Sequence, residues 1–139
     1  YYAYSSTNRD GYELAMRLGD DTGKTIDLRA DLRAVTTVPE KCNFTPLGTR
    51  LYCAVYVDEV SADNLMPDDY YNEKLTLDES VYVFHVPSGK NVLVGDLAEE
   101  NPETKKLKKY HANKVLIDPS ERFLFFVNKE DGFLYRMDM

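Results

Sequence analysis

Lys114 to Met139 reads KVLIDPSERFLFFVNKEDGFLYRMDM, and the fold is decided here, because weaker copies of the stretch lie earlier in the chain. It contains three runs rich in apolar, aromatic and β-branched residues, separated by Asp118-Pro119 and by Asp131-Gly132. Runs of this kind, bounded by Pro, Asp and Gly, are strands joined by tight turns.

Working outward, Lys41-Cys42-Asn43-Phe44-Thr45-Pro46 superposes on Lys114-Val115-Leu116-Ile117-Asp118-Pro119. Arg50-Leu51-Tyr52-Cys53-Ala54-Val55 then falls on Arg122-Phe123-Leu124-Phe125-Phe126-Val127, with the later turn one residue shorter. The next strand occurs three times: Leu14, Met16 and Leu18 match Tyr82, Phe84 and Val86, and these match Tyr135, Met137 and Met139. A fourth follows Thr22-Gly23-Lys24 and again Ser88-Gly89-Lys90. The unit is four antiparallel strands, A to D, of about 40 residues, which is the length and strand count of a propeller blade. The expected fold is all-β: about two and two-thirds antiparallel four-stranded blades of a partial propeller, with one short inter-blade helix. Residues 1–33 supply strands B to D of one blade. Residues 34–100 form a complete blade with a loop insertion at 58–79, and residues 101–139 a linker helix and strands A to C of a third.

The remaining segments follow from turn chemistry. Tyr1–Ser6 and Tyr12–Leu18 read as strands around a turn at Thr7–Gly11, Thr25–Leu28 as a short strand, and Arg29–Ala34 can form one helical turn. Pro46-Leu47-Gly48-Thr49 makes a tight hairpin between strands Glu40–Thr45 and Arg50–Tyr56, and strands resume at Val81–Val86 and Asn91–Val94. Asn101 followed by Pro102 is a helix start, and lysines at 105, 106, 108 and 109 sit where the dipole favours cations, which predicts a helix over Pro102–His111 with a solvated lysine face. Blade sheets bury both faces, so this piece is expected to pair with missing blades in cis or with other protein chains. The opening YYAYSS, beginning at Tyr1, reads like the inside of a strand and predicts a processed or truncated chain.

Composition narrows the function. The 139 residues carry 17 Lys plus Arg against 24 Asp plus Glu, a net charge of −7 that repels phosphate backbones and anionic lipid headgroups. Nucleic-acid and membrane-surface partners are therefore disfavoured, and with no apolar run near 20 residues no direct membrane insertion is expected. Eleven Tyr and six Phe without a Trp favour strands.

The Asp-Pro before a turn, FLFF at 123–126, NKEDG at 128–132 and the closing FLYRMD resemble a blade of TolB-like or WD-repeat-like propellers. More narrowly, EKC at 40–42, LYCAV at 51–55, PDDYY at 67–71 and NKEDG resemble uncharacterised propeller domains of predicted surface proteins of candidate-phylum bacteria. In that family an aromatic, usually Trp, follows two places after the first Cys and Pro often follows the Ala-Val; here Phe44 and Tyr56 stand in those places. The resemblance implies a propeller fold and carries no catalytic residues and no cofactor.

Folding about Leu47-Gly48 places Cys42 and Cys53 opposite one another, and the repeat maps them onto Val115 and Phe125. Opposed residues in a non-hydrogen-bonded pair lie within disulfide reach, so a cross-strand bridge is expected, with an extracytoplasmic or cell-surface location. The alternative is two buried thiols in a reducing cell. The insertion offers Asp58, Glu59, Asp63, Asp68, Asp69 and Glu73 as oxygen ligands, but without EF-hand spacing they read as a solvated acidic loop and no metal is assigned. Its Leu65, Met66, Asp68, Asp69, Tyr70 and Tyr71 form a candidate partner-binding loop, with packing against the sheets as the first use and partner contact as the second. Gly19 to Thr25 imitates a phosphate loop but has three residues between its glycines instead of four, and Ser88-Gly89-Lys90 repeats it as a turn. His85 and His111 are expected to be structural, and Asn43-Phe44-Thr45 is a formal glycosylation sequon inside a strand. The expected function is a non-catalytic scaffold or binding module of a larger extracytoplasmic protein, recognising protein, peptide or glycan. The alternative is an accessory propeller of a peptidase or other hydrolase whose catalytic domain lies elsewhere.

Overall fold

A computed structural model describes residues 1–8, 10, 14–30, 33–57, 65–72 and 77–139. Strands β1 (Tyr2–Ser6), β2 (Ala15–Gly19) and β3 (Thr25–Asp27) form a first antiparallel sheet in that order. The short pair β4 (Arg29–Ala30) and β5 (Arg33–Ala34) follows, then a 3₁₀ turn at Pro39–Lys41. The central sheet runs β6 (Cys42–Phe44), β7 (Arg50–Tyr56), β8 (Glu79–His85), β9 (Lys90–Asp96), with a single helical turn α1 (Asp68–Tyr71) between β7 and β8. A hairpin of β10 (Ala98–Glu100) and β11 (Leu107–Lys109) leads to a third sheet of β12 (Ala112–Ile117), β13 (Phe123–Asn128) and β14 (Leu134–Asp138). The chain is all-β, as its composition predicts, and every sheet is an antiparallel meander.

Strands β7 and β8 of the central sheet are buried on both faces, whereas the edge strand β9 is largely exposed. Leu51, Cys53, Val55, Tyr82 and Phe84 meet Met16, Leu18, Leu28 and Val35 from the first-sheet side in one core. Tyr52, Ala54 and Val81 meet Val115, Leu124 and Phe126 of the third sheet in a second. Alternation along β7 therefore sends successive side chains into different cores, which is why LYCAV is an unbroken apolar run. Polar ties join the sheets as well: the Ile117 amide donates to Asn43 Oδ1 at 3.0 Å, and Arg50 and the Tyr52 hydroxyl donate to Glu121 at 2.7 and 2.8 Å. Asn43, the sequon residue, is thus spent on an inter-sheet bond.

The hairpin pairs Cys42 with Cys53, and the two form a disulfide across a Cα separation of 4.1 Å. Two alignments of the repeat need correction. Phe44 pairs with Leu51 and Ile117 with Leu124, so the turns are equal in length, each with a left-handed residue, Gly48 at φ 65° and Glu121 at φ 56°. The partner of Val115 is accordingly Phe126, not Phe125; the continuous run FLFF hides the phase that an alternating strand would display. Met16 and Leu18 pack against Phe84 from the opposite sheet, while Met137 lies on the same side of its own sheet as Phe84 does. With a uniform stacking sense Met16 and Leu18 therefore face the opposite way from Phe84 and Val86, so the expected match is out of phase by an odd number of residues.

The one expected helix and the ambiguous segment at Arg29–Ala34 are strands. Asn101 Oδ1 accepts the amides of Glu103 and Thr104 at 3.0 and 2.9 Å as an N-cap would, but Lys105 turns left-handed at φ 58° and the Asn101 amide bonds Lys106 O at 2.9 Å. The helix over Pro102–His111 is therefore replaced by the β10–β11 hairpin, in which Glu99 faces Lys108 across the strands. Leu107 was the sole aliphatic residue available to bury a helical face there, whereas opposite charges support the paired strands. At Arg29–Ala34 the fully buried Leu28 and Val35 are hydrogen-bonded to each other at 3.1 Å, and entering one core from both ends folds the segment back as β4–β5 rather than as a helical turn. Gly11 and Tyr12, assigned to the first turn and strand, lie outside the described residues.

The cross-strand bridge closes a loop of 11 residues, for which chain entropy predicts about 2–3 kcal/mol of stabilisation. Thiol titration of the unfolded, unreduced protein should find no reactive thiol. Dithiothreitol should lower the denaturant midpoint by a matching amount; two titratable thiols per chain would reject the bridge.

Candidate functional site

Antiparallel order brings the end of β7, the start of β8, the lead-in to β6 and the start of β12 to one end of the stack. The 3₁₀ turn delivers Lys41 into this end with its side chain fully buried, where it donates to Glu79 Oε1, itself buried. The Lys41 ammonium lies 4.3 Å from the ring centroids of both Tyr56 and Tyr70. Glu79 Oε2 accepts the Ala112 amide at 2.9 Å, and the Tyr70 hydroxyl donates to the Ala112 carbonyl at 3.3 Å. Lys129 donates to the Tyr70 carbonyl at 2.7 Å and covers that ring at 4.1 Å. One ion pair in an aromatic cage thus ties the central sheet, the third sheet and the insertion.

Burial dominates the electrostatics. It pulls Lys41 down to about 8, against the Glu79 carboxylate, which holds the proton on, and with the nearby Lys129, which disfavours it. Burial also raises Glu79, opposed by Lys41 and the Ala112 amide. The Tyr56 and Tyr70 phenols are pushed well up, first by burial and then by the charge of Glu79. Desolvation of the pair is costly, and the hydrogen bonds and ring faces offset it. The Tyr56 hydroxyl has no hydrogen-bond partner among the described residues.

The insertion is divided by this anchor. Met66 and Tyr70 are buried with Leu14, Val38 and Tyr56, and the Asp69 carboxylate accepts the Leu65 amide at 2.8 Å, so these three serve packing. Leu65 and Tyr71 remain 42% and 51% exposed beside Asp68, with the Tyr71 hydroxyl bonded to Glu40 at 3.2 Å. Asp58, Glu59, Asp63 and Glu73 lie outside the described residues. Among the described residues, no group of three or more His, Cys, Asp or Glu is placed to hold a metal. At Gly19–Thr25 the Asp20 carboxylate accepts the Thr22 and Lys24 amides at 2.9 and 3.0 Å, so the turn is closed on its own side chain. His85 Nδ1 lies 2.8 Å from Ser88 Oγ in the equivalent turn, and the buried His111 backbone bonds Asn128 and Lys129.

Lys41, Tyr56 and Glu79 are absent from the sequence-derived site. Their one local signal is a lysine at the threshold of a buried strand; the partner is 38 residues away across the insertion. No family model, no curated protein and no solved structure matches this chain.

Lys41→Met leaves Glu79 buried without its cation and should cost about 3–5 kcal/mol in denaturant unfolding, while pairing it with Glu79→Leu recovers most of the loss. Because the folded value of Lys41 lies near 8, below the ordinary 10.5, the unfolded chain binds more protons between those values and stability rises with pH there. Tyr56 and Tyr70 act oppositely, withdrawing stability as pH passes the ordinary tyrosine value of 10.0. Unfolding measured from pH 7 to about 11 should climb above 8 and fall beyond 10, and Lys41→Met should lack the climb.

Proposed function

We propose that the chain is a non-catalytic binding module, built as a segment of a TolB-like or WD-repeat-like β-propeller and acting in an extracytoplasmic or cell-surface setting. The meander order of the sheets, the equal turns after β6 and β12, and the burial of the central sheet between two neighbours support the propeller reading. The Cys42–Cys53 bridge supports the oxidising compartment.

One observation carries the binding role: the insertion is held by Tyr70 and Met66 in a rigid, buried anchor while it presents Leu65, Asp68 and Tyr71 outward. A loop whose base is fixed loses little entropy when a partner engages its tip, and exposed aromatic residues are efficient anchors for protein, peptide or glycan ligands. Peptide and glycan arrays probed with labelled protein should give defined hits that disappear in Leu65→Ser/Tyr71→Ser, with a cooperative thermal unfolding lowered only slightly by loss of the Tyr71 contacts to Glu40 and Tyr70. Identical array profiles for wild type and double variant would overturn this loop as the binding surface.

The outer face of the third sheet supports completion by further sheets, in cis or from other chains. Leu116 and Leu134 are exposed there beside Phe125 and Val127, whereas the corresponding face of β7 and β8 in the central sheet is covered. The first sheet instead presents a polar network, Arg17 donating to Asp27 at 2.9 Å and to Ser6 at 2.8 Å. Light scattering of residues 1–139 is expected to show concentration-dependent association that Leu134→Lys reduces; a stable monomer at all concentrations, unaffected by that change, would count against it.

A further inference from the structure

A cleft of about 420 Å³ opens between the end of β9, the β10–β11 hairpin and strands β13–β14. Its walls include Tyr110, Phe126, Tyr135 and Met137, and its rim carries Asp96 and Glu99. The three rings form a connected aromatic wall: Tyr110 and Tyr135 have centroids 4.6 Å apart, Phe126 and Tyr135 stack at 5.5 Å, and Tyr110 meets Phe126 edge-on at 5.7 Å. Each phenol is oriented by an acid, Tyr110 donating to Glu99 at 2.7 Å and Tyr135 to Asp131 at 2.8 Å. The site therefore combines ring faces, which attract cations, with carboxylates that add to the same potential.

A cation already samples this potential. The exposed Lys108 places its ammonium 4.8 Å from the Tyr110 centroid and 5.6 Å from that of Tyr135. Arg136, the cation that lines the cleft itself, is directed elsewhere: its guanidinium pairs with Asp138 at 3.0 Å and lies 4.9 Å from the Phe123 ring. Lys108 hangs from an exposed strand on a flexible stem, so it can be displaced at small cost.

We propose that this cleft binds ligands bearing an ammonium group, with Tyr110 and Tyr135 as the cation-binding faces, Glu99 as the charge partner and Lys108 as an intramolecular occupant that a ligand displaces. The volume suits a small ligand head group with part of its chain. The site is separate from Leu65 and Tyr71 and is independent of the propeller reading.

The test uses choline and its uncharged carbon isostere, 3,3-dimethylbutan-1-ol, with tyrosine-ring NMR as readout. Choline should shift the Tyr110 and Tyr135 resonances, and Lys108→Met should bind it about three- to tenfold more tightly than wild type because the competing ammonium is gone. Glu99→Gln, which keeps an acceptor for the Tyr110 hydroxyl, should weaken choline severalfold with at most a small drop in thermal stability from the lost charge opposite Lys108. Equal binding of the isostere would overturn the proposal in favour of an apolar slot. Absence of ring shifts in both wild type and Lys108→Met, or equal affinity of the two proteins, would overturn it outright.

Discussion

Every side chain from Leu51 to Tyr56 is buried, so strand β7 must find apolar or paired neighbours on both of its faces. A two-layer sandwich can satisfy one face of a sheet; a strand apolar on both needs a packed layer on each side. The first sheet supplies Met16 and Leu18 to one face and the third supplies Val115, Leu124 and Phe126 to the other. The remaining strands take their faces from this requirement. Ala54 is small where the third sheet approaches, and Cys53 spends its face on the bridge to Cys42 instead of on bulk.

At one end of the stack a polar solution replaces the apolar one. Backbone groups at the start of β12 and the base of the insertion would otherwise be buried without partners, and Glu79 and Tyr70 satisfy the Ala112 amide and carbonyl. Glu79 in turn requires Lys41, and Lys41 requires the ring faces of Tyr56 and Tyr70 because no water reaches it. Such a cluster contributes little net stability over an apolar replacement, yet it permits a single arrangement of insertion and sheets, since any other leaves a buried charge alone. Leu65, Asp68 and Tyr71, exposed beside that anchor, are held in place by it. Aromatic and acidic groups recur at the cleft beside β14, where Glu99 and Asp131 orient tyrosines.

Strand and turn positions were legible wherever the signal was local. Pro46 to Thr49 announced the hairpin, and the hairpin alone put Cys42 opposite Cys53. The first use assigned to the insertion, packing, is what Met66 and Tyr70 do, because large apolar groups on a long loop seek the nearest core. The strand phase of FLFF was not legible, since a run apolar at every position has no alternation to read. Nor was the outcome at Asn101: a capping side chain serves one helical turn as well as three, and the choice rests on what the following residues can bury.

By itself, then, the amino-acid sequence determined the all-β class, most strand limits, the turn residues and the disulfide pairing, all of which depend on side chains within a dozen positions of one another. Tertiary structure alone decided which face each residue of β2 and β13 presents, the replacement of the expected helix by a hairpin, the pairing of the ambiguous segment at Arg29–Ala34, and the meeting of Lys41 with Glu79. The physical reason is the same in each case. The energy that selects among local alternatives comes from desolvation against a distant sheet, and its size is set by partners that no nearby residue names.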